Sequence, residues 1–255
     1  MIENGSGSRV IAPILEYSEI RKAFSSGRSV LEGFSLALGP RETVALVGPS
    51  GCGKTTALKL ANRLLDADAG TVRVFGRPAA EQEPVALRRK IGWVIQEGGL
   101  FPHWTVRENV EAVPRLLGWA PEKRRARSDE LLEIVGLPAA QYADRRPSGL
   151  SGGQRQRVGV ARALAARPPL VLMDEPFGAL DPISRRAMQR EFLAWKARWD
   201  AAVLFVTHDL AEAFRLADRV AVLEGGRLHQ VGTREDLTRS PADAFVREFV
   251  SEFGA

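Results

Sequence analysis

The sequence contains a single cysteine in 255 residues, and it has no long apolar run. One cysteine cannot form a disulfide within the chain, which excludes a disulfide-stapled scaffold and fits a reducing cytoplasm. The longest apolar stretches, 169–173 and 201–206, have the length of strands, whereas a membrane-spanning helix needs about 20 residues. The start of the chain lacks the basic and then apolar pattern of a secretory signal. We therefore expect a soluble or peripheral protein in which residues 1–9 form a flexible tail.

Basic residues exceed acidic ones, but the sequence lacks the aromatic residues interleaved with basic ones that stack nucleic-acid bases. The net charge of +5 is compatible with nucleic acid, anionic lipid or an arginine-rich proteome. The longest basic cluster, Lys123 to Arg127, is followed at once by Asp129 and Glu130, which is typical of a solvated helix face. No specific nucleic-acid partner is expected.

Short apolar runs alternate with helical patterns along most of the chain. Six runs predict strands: 42–47, 71–75, 91–95, 170–173, 202–206 and 219–223. The pattern over residues 54–63 predicts a helix, and the Gly225-Gly226 pair predicts a hairpin turn into a strand at 228–231. Such alternation indicates an α/β fold with a mainly parallel sheet covered on both faces.

One stretch interrupts this alternation with mostly helical patterns, from about residue 97 to 165. We predict that it forms a separate helical lobe inserted in a single domain over residues 10–240. An amphipathic pattern near the end predicts a C-terminal helix within residues 241–255, beginning at Pro241.

A glycine-rich segment lies between a predicted strand and a predicted helix, the context that a phosphate-binding loop requires. It comprises Gly48, Pro49, Ser50, Gly51, Cys52, Gly53, Lys54, Thr55 and Thr56. Glycines let backbone N–H groups surround phosphate oxygens, and the helix N-terminus adds partial positive charge. We expect Lys54 to reach the β- and γ-phosphates of a nucleotide and the Thr55 hydroxyl to bind Mg²⁺. The alternative, a glycine-rich turn without this function, is disfavoured by the flanking strand and helix.

Two acidic residues, Asp174 and Glu175, end a predicted buried strand. They therefore emerge at the carboxyl edge of the sheet, where α/β proteins bind their ligands. We expect Asp174 to hold Mg²⁺ largely through water. Glu175 is then placed to orient and deprotonate an attacking water. An acidic pair alone would be an ordinary strand end, but the phosphate loop in the same chain favours the catalytic interpretation.

A second helix start carries small residues and a capping pattern. The signature segment, Leu150 to Gln154, consists of Leu150, Ser151, Gly152, Gly153 and Gln154. Ser151 and Gln154 have the spacing of a capping box. An exposed helix N-terminus with two glycines in its first turn is a possible anion site, although most helix starts of this kind only cap the helix.

The signature segment matches that of the ATP-binding cassette (ABC) family letter for letter. Together with the phosphate loop and the Asp174-Glu175 pair, this match makes the chain resemble that family. The resemblance extends from about Leu15 to Gly232. The resemblance implies the ABC ATPase fold, in which a P-loop NTPase core carries an antiparallel β subdomain and an inserted helical lobe. It implies ATP and Mg²⁺ as cofactors. It also implies a homodimer or paired cassette arranged head to tail, in which Ser151 and Gly153 act in trans on the γ-phosphate held by the other copy.

The same resemblance assigns roles to further residues. Gln96 matches the glutamine that senses Mg²⁺ and the attacking water, and His208 matches the histidine that contacts the γ-phosphate. Asp181 matches the loop that crosses the dimer interface, and Phe24 aligns with the aromatic residue that stacks on adenine. A histidine after an apolar strand is otherwise often a satisfied core or cap residue. The implied catalytic residues are Lys54, Gln96, Glu175 and His208, and the implied metal-binding residues are Thr55, Gln96 and Asp174.

Segment 94–106 resembles the ATPase subunits of bacterial importers, and segments 113–119, 158–164 and 172–183 resemble the osmoprotectant branch, which imports glycine betaine, choline, carnitine or related quaternary amines. The implied partners are integral-membrane permease subunits and, indirectly, a solute-binding protein. The implied location is the cytoplasmic face of the inner membrane. Longer members of this branch carry C-terminal regulatory domains, so with the sequence ending at Ala255 we expect regulation, if present, to lie elsewhere.

Three apolar residues, Leu100, Phe101 and Trp104, are expected either near the groove that receives a permease helix or in the core of the helical lobe. Import of another small solute, such as an alkylsulfonate or nitrate, is an alternative function. A soluble cassette that acts on nucleic acid or ribosomes is the other alternative. Repair and chromosome cassettes usually separate the two motifs by long inserts, whereas Lys54 and Ser151 are 97 residues apart.

Overall fold

The computed structural model describes residues 12–24, 27, 29–96, 99–178 and 180–253, so the expected tail at residues 1–9 lies outside the described residues. Over these ranges, no helix has both the length and the apolar character needed to cross a membrane. The strands are β1 (Leu15–Ala23), β2 (Ser29–Leu38), β3 (Thr43–Val47), β4 (Ala69–Val74), β5 (Arg77–Pro78), β6 (Ile91–Val94), β7 (Leu170–Asp174), β8 (Ala202–Val206), β9 (Arg219–Glu224) and β10 (Arg227–Gly232). The helices are α1 (Lys54–Ala61), α2 (Pro84–Arg88), α3 (Val106–Leu116), α4 (Pro121–Ile134), α5 (Ala139–Tyr142), α6 (Gly152–Leu164), α7 (Pro182–Lys196), α8 (Leu210–Leu216), α9 (Arg234–Arg239) and α10 (Ala244–Phe253).

The central sheet has the strand order β10-β9-β3-β8-β7-β6. Its strands are parallel except for β10, which returns antiparallel to β9 after the Gly225-Gly226 turn. Alternate residues of β3 pack into different cores: Ala45 and Val47 on one face, Val44 and Leu46 on the other. Because both faces are buried, the strand is apolar throughout instead of alternating with polar residues.

A second sheet is antiparallel and has the order β2-β1-β4-β5. It shares one core with α1 and one face of the central sheet. Tyr17 of β1 is buried edge-on against Phe34, with 5.1 Å between ring centroids, and its hydroxyl donates to the Ala57 carbonyl of α1 at 2.8 Å. Burial raises the pKa of the Tyr17 hydroxyl, so it stays protonated and keeps donating. This sheet is the antiparallel β subdomain that the family resemblance implied.

Between β6 and β7 the chain is mainly helical, from α3 to α6. Thr105 caps α3 and forms a reciprocal capping box with Glu108. The apolar residues Val110, Leu132 and Val158 join these helices to the larger core. The helical segment contacts the central sheet where α6 packs against β6.

Several element boundaries differ from the sequence prediction by one to three residues, and three of these differences have a clear physical reason. The last helix begins at Ala244 rather than Pro241, because the Asp243 carboxylate accepts the Val246 N–H at 2.9 Å and caps the helix there. The first helix ends at Ala61, since Arg63 adopts a φ of +49° that a helix cannot continue through. Strand β4 begins at Ala69, two residues earlier than expected, through pairing with Arg21 of β1.

Candidate nucleotide-binding site

The loop 48–53 connects β3 to α1 at the carboxyl edge of the central sheet. Two of its glycines are required by close backbone approaches. Gly48 has a φ of +147°, and a Cβ there would lie 2.0 Å from the Leu223 carbonyl oxygen. Gly53 has a φ of +107°, and its Cβ would lie 2.6 Å from the Val30 carbonyl oxygen. The loop can therefore lie against β9 and β2 only because these positions lack side chains.

Lys54 is the first residue of α1 and is only 7% exposed. Its ammonium group turns back across the loop and donates to the Gly48 carbonyl at 2.7 Å and to the Pro49 carbonyl at 2.9 Å. It also lies 3.7 Å from the Cys52 sulfur. The loop thus holds a fixed positive charge at the start of a helix, where the helix dipole also favours anions.

A cavity of about 380 Å³ opens beside the loop. Its lining consists of Phe24, Val30, Ser50, Gly51, Gly53, Lys54, Thr55, Thr56, Glu175 and Val206. Phe24, which is 45% exposed, and Val30 provide an apolar wall, while the loop provides a basic and polar one. An apolar surface for a ring beside a basic loop suits a nucleoside phosphate.

Asp174 ends β7 and faces the loop across the sheet edge. The Thr55 hydroxyl donates to Asp174 Oδ1 at 3.0 Å. Burial raises the pKa of the Asp174 carboxyl and the Glu175 charge adds to the rise, while the hydrogen bond from Thr55 opposes it. Oxygen ligands from a hydroxyl and a carboxylate, next to excess negative charge, fit Mg²⁺. The residues present are therefore suited to this ion.

Glu175 follows directly and has a φ of +45°, which is uncommon for a residue other than glycine. Its backbone N–H donates to the Val206 carbonyl at 3.0 Å, which ties it to the end of β8. Glu175 Oε2 accepts a hydrogen bond from Gln96 Nε2 at 3.3 Å, and Oε1 lies 3.5 Å from His208 Nδ1. The ends of β6, β7 and β8 therefore bring three of the predicted site residues together.

The signature segment lies apart from this group of residues. Ser151 caps α6, its hydroxyl accepting the Gln154 N–H at 3.3 Å while Gln154 Oε1 accepts the Ser151 N–H at 2.9 Å. The predicted capping box is therefore present. Gln154 also donates to the Tyr142 hydroxyl at 3.3 Å. The residues that line the cavity do not include 151–154, and Ser151 and Gly152 are exposed.

Asp181 caps α7 and likewise does not line the cavity. Its Oδ1 accepts the backbone N–H groups of Ile183 at 3.1 Å and Ser184 at 3.0 Å. Hydrogen bonds from the Ser184 side chain and backbone lower the pKa of the Asp181 carboxyl. The residue is thus an ionised cap at the end of the loop that starts at Glu175.

Sequence reasoning missed two apolar residues of the cavity lining, Val30 and Val206. Val206 was recognised only as the last residue of a buried strand. Val30 carries no local signal at all, because its place follows from β2 passing beside the phosphate loop. A Cβ on either Gly53 or Gly226 would lie 2.6 Å from the Val30 carbonyl oxygen, which shows how closely these three segments pack.

A phosphate loop between a parallel strand and a helix, with an Asp-Glu pair at the end of a neighbouring strand, defines the P-loop class of nucleotide-binding proteins. A family model described as ABC transporter matches residues 31–178. The chain belongs to the ABC transporter family. Its sequence is similar to a glycine betaine/carnitine/choline transport ATP-binding protein of Bacillus subtilis, OpuCA, with 48% identity over 239 residues, 94% of this chain and 63% of the relative. The family that the sequence motifs predicted is confirmed.

Other relatives and one solved structure agree with this assignment. The osmoprotectant import ATP-binding protein OsmV of Salmonella typhimurium is 47% identical over 83% of this chain and 55% of its own length. The glycine betaine uptake system ATP-binding protein YehX of Escherichia coli is 42% identical over 94% of this chain and 78% of its own length. The chain spans about three fifths of the length of the Bacillus and Salmonella relatives.

The fold is also that of a solved family member. The dimeric structure of the ATP-binding cassette MJ0796 in a post-hydrolysis state, bound to ADP and Pi, superposes with a TM-score of 0.76 and 31% identity, covering 86% of this chain and 98% of that one. The predicted α/β class, with its mainly parallel sheet and antiparallel subdomain, is confirmed.

Proposed function

We propose that this chain hydrolyses ATP as one of two paired cassettes and thereby powers import of an osmoprotectant through a membrane permease. The observation that carries the proposal is the meeting of Lys54, the Thr55–Asp174 pair and Glu175 at one cavity, with Gln96 and His208 both beside Glu175. A basic loop for phosphates next to a carboxylate with polar partners suits phosphoryl transfer to water. The names of the relatives support transport as the work done.

Binding of the nucleotide is assigned to the loop and the apolar wall. The backbone N–H groups of the loop and the Lys54 ammonium would neutralise the phosphates, while Phe24 would stack on the base. Thr55 and Asp174, together with Gln96, would hold Mg²⁺, which would supply charge neutralisation at the phosphate oxygens. The geometry favours these roles because Asp174 and Gln96 lie at or just beyond the ends of the neighbouring strands β7 and β6, and Thr55 of α1 bonds Asp174.

Glu175 is assigned the role of general base. Its two carboxylate oxygens are each approached by one side chain, Gln96 and His208, and this restricts how the carboxylate can turn. A carboxylate held in this way can accept a proton from a water aligned with the γ-phosphate. His208 is 58% exposed and so remains accessible to a phosphate in the cavity.

A head-to-tail pair is supported by the separation of the two motifs in one chain. Ser151 and Gly152 are exposed, and Gly153 has no side chain that would keep a phosphate away from the helix start. These residues nevertheless do not line the cavity of their own chain. A second copy that places its signature segment over this cavity would supply the missing wall. The solved relative is itself described as a dimer.

A groove next to the helical segment is the candidate contact with the permease. It has a volume of about 340 Å³, and its exposed apolar residues are Ile95, Phe101 and Leu116. Asn109 holds the Phe101 backbone from both sides, since its Oδ1 accepts the Phe101 N–H at 2.8 Å and its Nδ2 donates to the Phe101 carbonyl at 3.1 Å. An apolar groove with a rigidly held rim suits an amphipathic helix.

The three residues expected at this groove or in the core divide between the two. Phe101 lines the groove and is 48% exposed, whereas Leu100 packs against the larger core. Trp104 contacts the Phe101 ring, with 4.5 Å between centroids. We therefore propose the groove alternative for Phe101, whose ring Trp104 contacts.

The proposed solute follows from the functions for which the relatives are named. The Bacillus relative is named for transport of glycine betaine, carnitine and choline. The Salmonella relative is named for osmoprotectant import, and the Escherichia relative for glycine betaine uptake. We assign the chain to a system for such quaternary amines at the cytoplasmic face of the membrane, with a solute-binding protein as its indirect partner.

Uptake by the source cell tests the whole proposal. The gene is deleted, and uptake of radiolabelled betaine, choline, carnitine, an alkylsulfonate and nitrate is compared after complementation with the wild type, Glu175→Gln or Glu248→Gln. Glu248 is an exposed residue of α10 and serves as the matched control. We expect uptake of a quaternary amine to be lost on deletion and restored by the wild type and Glu248→Gln only. Loss of sulfonate or nitrate uptake instead would reassign the cargo, and unchanged uptake of all five would refute the transport proposal for these solutes.

A further inference from the structure

Arg185, on the first turns of α7, holds the loop that joins Glu175 to Asp181. Its Nε donates to the Phe177 carbonyl at 3.3 Å, and its NH2 nitrogen donates to the Gly178 carbonyl at 3.4 Å and the Leu180 carbonyl at 3.0 Å. Three carbonyl oxygens of one loop are thus bound by one guanidinium, which is a rigid planar donor. The position of this loop therefore depends on the position of α7.

One turn further along α7, Gln189 is buried and donates to Glu212 Oε2 of α8 at 2.9 Å. Glu212 is itself only 4% exposed, and its carboxylate also receives a hydrogen bond from the Thr207 side chain. A carboxylate in such a place is costly unless it is hydrogen-bonded, so its partners are a structural requirement. The contact joins α7 to α8, the helix that follows His208, and the Glu212 carboxylate in turn binds Thr207, the residue before His208.

The turn that carries His208 is bound to Glu212 from both sides. The Thr207 hydroxyl accepts the Asp209 N–H at 3.1 Å, and Asp209 Oδ1 accepts the Glu212 N–H at 2.9 Å. His208 lies between Thr207 and Asp209 in the sequence, and its Nδ1 is 3.5 Å from Glu175 Oε1. A shift of Glu212 would therefore displace His208 relative to Glu175.

We propose that the buried Gln189–Glu212 pair positions His208 and the 175–181 loop relative to each other, and so keeps His208 aligned with Glu175. This inference rests on the proposed ATPase function. Both residues are positioning residues, because neither lines the cavity. The physical reason for an effect on rate is that displacement of a catalytic group by a fraction of an ångström weakens alignment in the transition state more than it weakens binding of the substrate.

The test compares the kcat and the KM for ATP of the wild-type chain with those of Gln189→Leu, Glu212→Leu and Glu212→Gln. We expect each leucine variant to lower kcat by about tenfold with a KM for ATP within about twofold of the wild type. Glu212→Gln should retain most of the wild-type kcat, because its amide oxygen can accept from Thr207 and the Gln189 amide can turn to accept its NH₂ group. The double leucine variant should lower kcat no more than either single variant does, since the two residues act through one contact.

Leu237→Ala is the control, because Leu237 is fully buried in α9, remote in sequence from both segments. The Tm of every variant is measured alongside. An unchanged kcat in the leucine variants, or a kcat that falls together with Tm equally in Leu237→Ala, would overturn the inference. Additive effects of the two leucine substitutions would also overturn it. Absence of hydrolysis by the wild type would instead refute the proposed function, so the two failures are distinguishable.

Discussion

The phosphate loop and the signature segment both lie at helix starts, but they differ in what surrounds them. Around the loop, Lys54 is 7% exposed and bound by two carbonyl oxygens, and ten residues from five regions of the chain line one cavity. At the signature segment, Ser151 and Gly152 are exposed and the polar contacts of Ser151 are made with Gln154, three residues away. The first is a pocket that one chain can build, and the second is a surface.

This difference indicates how the work is divided between two copies. A helix N-terminus binds an anion well only when other groups close around the anion. Lys54 has such groups in its own chain, while the described side-chain hydrogen bonds of Ser151 are made with Gln154 of its own helix. Substitutions in the loop should therefore impair the function of a single chain, whereas substitutions in the signature segment should impair only the function that needs the pair of chains.

The largest effect is expected for Glu175→Gln. Loss of the general base should lower the rate of hydrolysis by at least about 100-fold while ATP binding remains, since Lys54 and the loop are untouched. ATP that cannot be hydrolysed should then hold the pair together, which size-exclusion chromatography with ATP measures. Glu248→Gln should behave as the wild type. Normal turnover by Glu175→Gln would remove this residue from the role of base.

Ser151→Arg should act on the pair alone. A long cation at the signature segment blocks approach of a second copy and removes the cap, so hydrolysis should fall by about 100-fold. Titration of the isolated chain with a fluorescent ATP analogue should give the wild-type affinity. Gln141→Arg, on the nearby α5, introduces the same side chain at an exposed site and is the control. Weakened binding to the single chain would contradict the assignment in trans.

A smaller effect is expected for Phe24→Ala at the apolar wall of the cavity. Loss of stacking on the base should weaken ATP binding by about five- to tenfold. Phe24→Trp should restore or strengthen binding because of its larger ring. Leu64→Ala removes another exposed apolar side chain, outside the cavity lining, and should leave the affinity unchanged. Equal affinities for all four proteins would exclude Phe24 as the base-stacking residue.

The smallest effect concerns stability and involves Glu212. Burial raises the pKa of the Glu212 carboxyl and the Asp209 charge adds to the rise, whereas hydrogen bonds from Thr207 and Gln189 and the Arg185 charge oppose it. The folded state therefore binds more protons than the unfolded state above the ordinary glutamate pKa, and the free energy of unfolding falls as pH rises through the raised pKa.

Glu212→Gln removes this titration. Its Tm should exceed that of the wild type by an amount that grows as pH rises from the ordinary glutamate pKa of about 4.3 through the raised pKa, whereas below the ordinary pKa the two should converge. Thermal unfolding followed by circular dichroism measures this difference. Glu248→Gln should run parallel to the wild type. A constant difference at every pH would mean that Glu212 does not titrate between these limits.

Much of the fold was predictable from local patterns. The strands β3, β7, β8 and β9 are buried on both faces, so each is a continuous apolar run that sequence alone reveals. Strands β1 and β2 were not located individually, since their burial is irregular and register shifts interrupt their pairing. Helix α7 was also missed, because its buried residues are spread among charged ones.

The candidate site divides in the same way. The phosphate loop, the Asp174-Glu175 pair and the capping box of Ser151 depend on residues close together in sequence, whose spacing carries the chemistry. Arg185 and Glu212 could not be recognised, because their roles depend on contacts with the 177–180 loop and with Gln189 of α7.

The sequence by itself determined which residues can bind phosphate, which carboxylates end a buried strand and which helix start carries the signature, because each depends on neighbours along the chain. The tertiary structure decided that Gln96, Glu175 and His208 meet, since three parallel strands must align before their ends come together. It also decided that Val30 lies against Gly53 and that Glu212 is buried beside Gln189. These contacts join segments far apart in sequence, and only the packing of the sheets and helices brings them within bonding distance.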